Sequence, residues 1–253
     1  NQPHHPPQTH TPPSPEQPTL EQAENHTESI AGKTTHFYTR GEPNNPLVLL
    51  VHGWMGRASQ FYNIIGYLVE RQYFVVSFDG PAHGDSGGTQ TSVVDFSEAI
   101  QLIESKYKMI DYAVAHSFGG ITLLHALKKG VKIDHLAFIA TPSISDEIVR
   151  SFEGRINASP ATGEYFKKKV LKKYGVTFKS ISASESIKEV NIKSLFLIHD
   201  ELDKEVSLEH AELLKERYPT AKTLFTSGLG HTRILRDDDV AHQLIARIDQ
   251  FRN

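Results

Sequence analysis

Residues Ala115-His116-Ser117-Phe118-Gly119-Gly120 place a serine between small residues, where an apolar strand-like run meets a helix-like segment. A sharp strand-to-helix turn projects a hydroxyl from the backbone only if its flanks are small, so the pattern suits an exposed nucleophile. A serine hydroxyl attacks carbonyls only when a base takes its proton and an acid fixes that base's tautomer. His231, in Gly228-Leu229-Gly230-His231, is the expected base, and Asp203, in His199-Asp200-Glu201-Leu202-Asp203, the expected acid. Asp200, Glu201 and Asp146 are competing carboxylates. Asp203 is preferred because four residues past His199 leave enough chain to turn back toward His231, whereas Asp200 leaves its strand too early. Asp200→Asn and Asp146→Asn are therefore expected to retain most activity. Acyl transfer further needs N–H donors aimed at the oxygen that becomes negative. The loop His52-Gly53-Trp54-Met55-Gly56 offers the backbone N–H of Trp54, and the residue after the serine offers that of Phe118. The Trp54 side chain is expected to line a substrate pocket, and His52 to stabilise its loop.

These residues need a scaffold that delivers them to one edge. Leu47–Val51 is a continuous apolar run, as in a strand buried on both faces. Phe61, Ile64, Ile65, Leu68 and Val69 follow the stripe of an amphipathic helix. Strands are then predicted at Phe74–Phe78, Tyr112–Ala115, His135–Ala140, Leu195–Ile198 and Lys222–Thr226. Helices are predicted between them, around Phe96-Ile103, Ile121-Leu127 and Leu208–Arg217, with a last one from Val240 to Phe251. Thr34–Arg40 reads as the second strand of a hairpin after Gly32. Such alternation implies an α/β fold, a mostly parallel, doubly wound sheet with helices on both faces. Each candidate residue then follows a strand.

Two segments stand apart. Residues 1–18 hold seven of the 13 prolines and no apolar side chain, and residues 1–32 carry four glutamates and no lysine or arginine. With no apolar surface to bury, residues 1–25 are expected to form a disordered tail, dispensable for activity and stability. The body is expected to span residues 26–253. Within it, the 142–192 stretch separates two strands by more than a normal connection. Ile148, Phe152 and Ile156 fit one short helix. Ser159-Pro160 reads as a helix start and Gly175 as its stop, with Tyr165, Phe166, Val170, Leu171 and Tyr174 as an apolar stripe. Lys167, Lys168, Lys169, Lys172 and Lys173 fall mainly opposite it, as a solvated face. This insertion is expected to be a small helical cap that sets substrate choice, with Phe166 in the pocket.

Composition narrows the alternatives. A net charge of -3 over 253 residues makes no case for a nucleic-acid partner. The longest apolar runs are far too short to span a bilayer, so no integral membrane segment is expected. With no cysteine there is no disulfide, thiolate metal site or cysteine nucleophile. The 14 histidines show no spacing typical of a metal site, and neither metal nor cofactor is expected. No signal peptide is visible and the expected compartment is the cytoplasm, a start at Asn1 being compatible with a removed leader.

The motifs together resemble those of alpha/beta-hydrolase-fold serine hydrolases, over about residues 26–253. His52-Gly53 matches the oxyanion loop of that family. Asp79-Gly80-Pro81-Ala82-His83-Gly84-Asp85-Ser86 resembles its D-x-x-G-x-G-x-S loop, with Ala82 at the first glycine, and Ala115 stands where the nucleophile motif usually has Gly. Ser117, Asp203 and His231 match the triad. The resemblance implies a small-capped, esterase-like hydrolase acting on a small-molecule ester. Thioesterase, lactonase and carbon–carbon bond hydrolase share the triad and stay open. So does a ligand-binding protein on the same scaffold, although binding alone requires none of the three residues.

Overall fold

In the computed structural model, residues 14–252 are described, apart from 145, 146, 148, 151, 152 and 154–157. Eight strands form one sheet: β1 (Glu24–Ile30), β2 (Lys33–Arg40), β3 (Leu47–Val51), β4 (Phe74–Phe78), β5 (Ile110–His116), β6 (Ile133–Ile139), β7 (Ser194–Asp200) and β8 (Lys222–Thr226). Their spatial order is β1-β2-β4-β3-β5-β6-β7-β8. β1 and β2 form an antiparallel hairpin whose second strand pairs antiparallel with β4, and the remaining pairs are parallel. The expected strands and their parallel sense are thus present.

Every residue of β3, β4 and β7 is buried, because helices cover both faces of the sheet. Alternate residues of β3 serve two separate cores. Leu47, Leu49 and Val51 pack with α3 (Val93–Tyr107) and α4 (Phe118–Lys128). Val48 and Leu50 pack with α2 (Tyr62–Glu70) and the last helix, Asp238–Asp249. Ser92 caps α3 by accepting the Asp95 N–H, and Asp237 caps the last helix by accepting that of Val240. Among the described residues no helix is long and apolar enough to cross a membrane.

The register aligns the strand ends that matter. Val51 lies opposite Ala115, His116 opposite Ile139, and Asp200 opposite Thr226. The loops after β3, β5, β7 and β8 therefore leave from one edge, where the crevice of an open parallel sheet lies.

The insertion after β6 is helical, and part of it joins the main core. Its main helix, α5 (Pro160–Tyr174), begins at Pro160 and ends at Gly175 in the left-handed region, as the sequence predicts. Phe166, Val170 and Tyr174 are half-buried, but Tyr165 (67% exposed) and Leu171 (47% exposed) face solvent. The expected apolar stripe is narrower than its composition suggests. Two short helices follow, α6 (Phe178–Ile181) and α7 (Ala183–Ser186). Ile181, Ala183, Ile187 and Ile192 are buried in the same cluster as α4, so the end of the insertion belongs to the main core and not to a cap. The short helix expected around Ile148, Phe152 and Ile156 falls largely outside the described residues, as does Asp146.

The N-terminal expectation also changes. Ser14–Glu16 forms a 3-10 turn, α1 spans Gln17–Glu21, and β1 starts at Glu24. Leu20 and Ala23 line a small hollow with Tyr38, Ala58, Ile65 and Val75, and Glu16 is buried against the body. A segment almost without apolar residues docks here through a polar anchor, which hydrophobic patterning does not register. Residues 1–13 lie outside the described residues.

Candidate active site

Ser117 sits between β5 and α4 with φ of +51°. Such a conformation is costly for a residue with a Cβ and persists only where the surroundings enforce it. Here the Ser117 N–H donates to Ile139 O (2.9 Å), and the Gly120 N–H donates to Ser117 O (3.0 Å). Two glycines make the turn possible. A Cβ on Gly119 would lie 2.3 Å from the Val51 carbonyl, and one on Gly53 would lie 2.9 Å from Ser117 Cβ. The 52–56 loop and the serine therefore approach each other as closely as backbone allows.

α8 (Glu209–Arg217) lies between β7 and β8, and His231 is delivered by a single helical turn after β8, α9 (Gly230–Arg233), rather than by an open loop; the last helix, Asp238–Asp249, is α10. Its Nδ1–H donates to Asp203 Oδ2 at 2.7 Å, and its Nε2 lies 3.0 Å from Ser117 Oγ. With the proton held on Nδ1, Nε2 accepts from the serine hydroxyl. Asp203 Oδ1 accepts the N–H groups of Glu205 (2.8 Å) and Val206 (3.0 Å). Burial pushes the Asp203 carboxyl up, but the His231 N–H and these backbone donors outweigh it and hold the group below the usual carboxylate range. Ser117, His231 and Asp203 thus form one hydrogen-bonded chain.

Asp200 has a different place. It is fully buried, and its Oδ1 accepts the N–H groups of Leu202 (3.0 Å) and Gly228 (3.2 Å). Its Oδ2 accepts from Thr226 Oγ1 (2.8 Å) and the Leu229 N–H (2.9 Å). Asp200 therefore ties the β7 loop to the segment carrying His231. These donors come from residues that are not adjacent in sequence, so distance along the chain ranks Asp200 behind Asp203 without showing what it holds.

Three buried histidines brace the loops. His52 donates from Nδ1 to Gly53 O (2.7 Å) and accepts the Gly80 N–H at Nε2 (2.8 Å), which bears out its expected stabilising part. His116 donates from Nε2 to the His231 carbonyl (2.9 Å), and its Nδ1 accepts from the Gln60 amide (3.3 Å). Sequence reasoning assigned no part to His116 or Gln60; the only signal was that His116 ends a buried strand. His83 packs edge-on against Trp54 and Phe96. Burial holds His52 down to about 4 and His116 to about 3, with the neighbouring His231 adding to the latter.

Trp54 is 42% exposed, and its ring meets Phe118 edge-on at 5.5 Å. Phe118 in turn meets Phe96 at 5.4 Å. An aromatic wall therefore stands beside the first turn of α4, whose free N–H groups point toward the serine end. Phe166 meets Phe178 edge-on at 5.6 Å within the insertion. Lys173 donates to Gln90 Oε1, which joins α5 to the loop after β4.

A sequence model described as the alpha/beta hydrolase fold matches residues 46–160. No curated protein sequence matches the chain. Solved structures do. An esterase from Pyrococcus furiosus is similar at 18% identity and a TM-score of 0.70, covering 98% of this chain and 96% of its own. The thioesterase domain from the curacin biosynthetic pathway is similar at 17% identity and 0.64, covering 89% and 99%. A bromoperoxidase from Bacillus anthracis is similar at 16% and 0.68, covering 90% and 100%. At such identities the likeness concerns the fold, and these three differ in the reaction their names state. The strand order, the turn at Ser117 and the sequence match lead to one conclusion: the chain has the alpha/beta-hydrolase fold.

Proposed function

We propose that the protein is a serine hydrolase cleaving carboxylic esters through an acyl-enzyme on Ser117. The observation that carries this reading is the continuous hydrogen-bonded chain from Ser117 Oγ through His231 to Asp203. Ser117 attacks the acyl carbonyl as its proton passes to His231 Nε2. Asp203 keeps the second imidazole proton on Nδ1 and stabilises the imidazolium. The N–H groups of Trp54 and Phe118 receive the developing oxyanion. His231 then protonates the leaving alkoxide. Water, activated by the same histidine, attacks the acyl carbon; the acid leaves and the serine regains its proton.

The test is hydrolysis of p-nitrophenyl esters of increasing acyl length, beside matching acyl thioesters, with fluorophosphonate labelling of the same samples. Ester turnover and a label on Ser117, both absent from Ser117→Ala, are expected. Labelling that persists in Ser117→Ala would move the nucleophile elsewhere. Turnover confined to the thioesters would change the substrate class and keep the triad.

Phe166 is proposed to face the acyl chain as part of the cap. Phe166→Ala is expected to change the ratio of kcat/KM for long over short acyl chains by about 10-fold, the scale of a lost apolar pocket contact. An unchanged ratio, accompanied by a lower thermal midpoint, would make Phe166 and Phe178 simple packing partners.

A further inference from the structure

Among the buried carboxylates that the proposed chemistry does not use is Glu16. Glu16 is only 3% exposed, in a segment where a glutamate would ordinarily be solvated. Its Oε2 accepts from Ser59 Oγ at 2.7 Å, and its Oε1 faces Arg236 Nη2 at 3.5 Å. Burying a carboxylate costs several kcal/mol unless well-placed donors replace its water, so these partners hold the segment in place.

Both partners belong to the proposed machinery's supports. Ser59 lies in the turn Ala58–Phe61, which directly follows the loop carrying Trp54. The start of this turn is fixed by the Ala58 N–H, which donates to Asp79 Oδ1 at 2.7 Å. Arg236 lies five residues after His231, and its N–H donates to Arg233 O, closing the turn that continues from α9. The same two segments are joined a second time, by Gln60 to His116 and His116 to the His231 carbonyl. Glu16 thus forms an outer bridge parallel to an inner one, between the loop of the oxyanion donor and the segment of the base.

We propose that Glu16 is a positioning residue: it clamps the Ala58–Phe61 turn to the His231 segment, so that the N-terminal segment sets the alignment of the Trp54 N–H and His231 about Ser117. This rests on the serine-hydrolase reading. Misalignment of an oxyanion donor weakens stabilisation of the transition state more than binding of the ester, so the effect falls on kcat.

The experiment compares Glu16→Ala, Ser59→Ala, the double variant and Leu20→Ala in the full chain, with p-nitrophenyl butyrate as substrate. Ser59→Ala removes one oxygen and serves even if Glu16→Ala folds poorly. Leu20→Ala loosens α1, which directly follows Glu16, without touching the carboxylate. Both polar variants are expected to lose about 10-fold in kcat, less than loss of a whole oxyanion donor, with KM within about 2-fold. The double variant is expected to be no worse than Glu16→Ala, since both act through one contact. Leu20→Ala is expected to lower the thermal midpoint but keep its kcat. Wild-type kcat in Glu16→Ala, multiplicative losses in the double variant, or an equal kcat loss in Leu20→Ala would each overturn the clamp. If the wild type neither turns over esters nor takes the fluorophosphonate, it is the hydrolase reading that fails. Amide hydrogen exchange over residues 52–60 and 229–236 then decides the clamp alone: faster exchange in Glu16→Ala supports it, and equal exchange overturns it.

Discussion

Asp203→Asn is expected to fold normally and lose about 10⁴-fold in turnover, by analogy with the Ser-His-Asp template. The asparagine oxygen can still accept the N–H groups of Glu205 and Val206, so the loop keeps its shape. The amide nitrogen then meets His231 Nδ1, where the carboxylate oxygen had accepted a hydrogen bond at 2.7 Å. Two donors cannot face each other. The imidazole moves its proton to Nε2, the atom that must accept from Ser117, and general-base catalysis stops. The thermal midpoint should stay within a few degrees of wild type.

Asp200→Asn is expected to behave differently, and not as distance along the chain suggested. Each of its oxygens accepts two hydrogen bonds. An amide has one acceptor oxygen, so a pair of donors loses its partner whichever way the group turns. At about 1–3 kcal/mol for each buried group left unsatisfied, the variant should melt well below wild type. Its kcat should fall only as far as the Gly228–His231 segment loosens. Steady-state kinetics and thermal melts on the two variants separate an orienting acid from a loop tie. Turnover in Asp203→Asn within 10-fold of wild type would move the acid elsewhere.

A second large effect is expected with pH. His52, His83 and His116 are buried and neutral, held down to about 4, 3 and 3 from an ordinary value of 6.5. Burial is the main cause for all three. Arg57 adds to it at His52, His52 at His83, and His231 at His116. Each ring also has its proton placed by geometry. Protonating His52 at Nε2 would set an N–H against that of Gly80. His83 donates from Nδ1 to Pro81 O, and its buried Nε2 has no acceptor for a second proton among the described residues.

The unfolded chain binds these protons near pH 6.5 and the folded chain only near pH 3 to 4. The stability they supply is complete above pH 6.5 and is lost as pH falls below it. Between those limits each histidine removes about 1.4 kcal/mol per pH unit, or about 4 kcal/mol per unit for the three together. A domain stable by about 6–10 kcal/mol, within the usual range for a single domain, should therefore unfold between about pH 5 and pH 4, as followed by circular dichroism. His83→Asn, which can still donate toward Pro81 O but does not titrate, should move the midpoint to lower pH. A protein as stable at pH 4.5 as at pH 7 would contradict this account.

Local patterns in the sequence were enough for the scaffold. The stripes of α2 and α10 are visible because a helix imposes a period of 3.6 on neighbouring residues, the runs Leu47–Val51 and Phe74–Phe78 because a strand buried on both faces is apolar throughout, and the stop at Gly175 because a left-handed helix cap favours glycine. The turn at Ser117 was equally legible, since steric demands within five or six residues select small side chains there. Ser117, Asp203 and His231 could be named together because each follows a predicted strand, and parallel strands deliver their C-terminal ends to one edge.

Other features depended on residues distant along the chain. Glu16 meets Arg236 across 220 residues, Asp200 meets Leu229 across 29, and His116 holds a carbonyl 115 residues away. A hydrogen bond between loops leaves no period in either segment, because it needs one donor and one acceptor at a single point in space. A polar N-terminal stretch therefore read as a free tail, and Asp200 as a spare carboxylate. Only the tertiary structure, by removing water from those groups and supplying their partners, decided that one anchors the N-terminal segment and the other ties down the segment that carries His231.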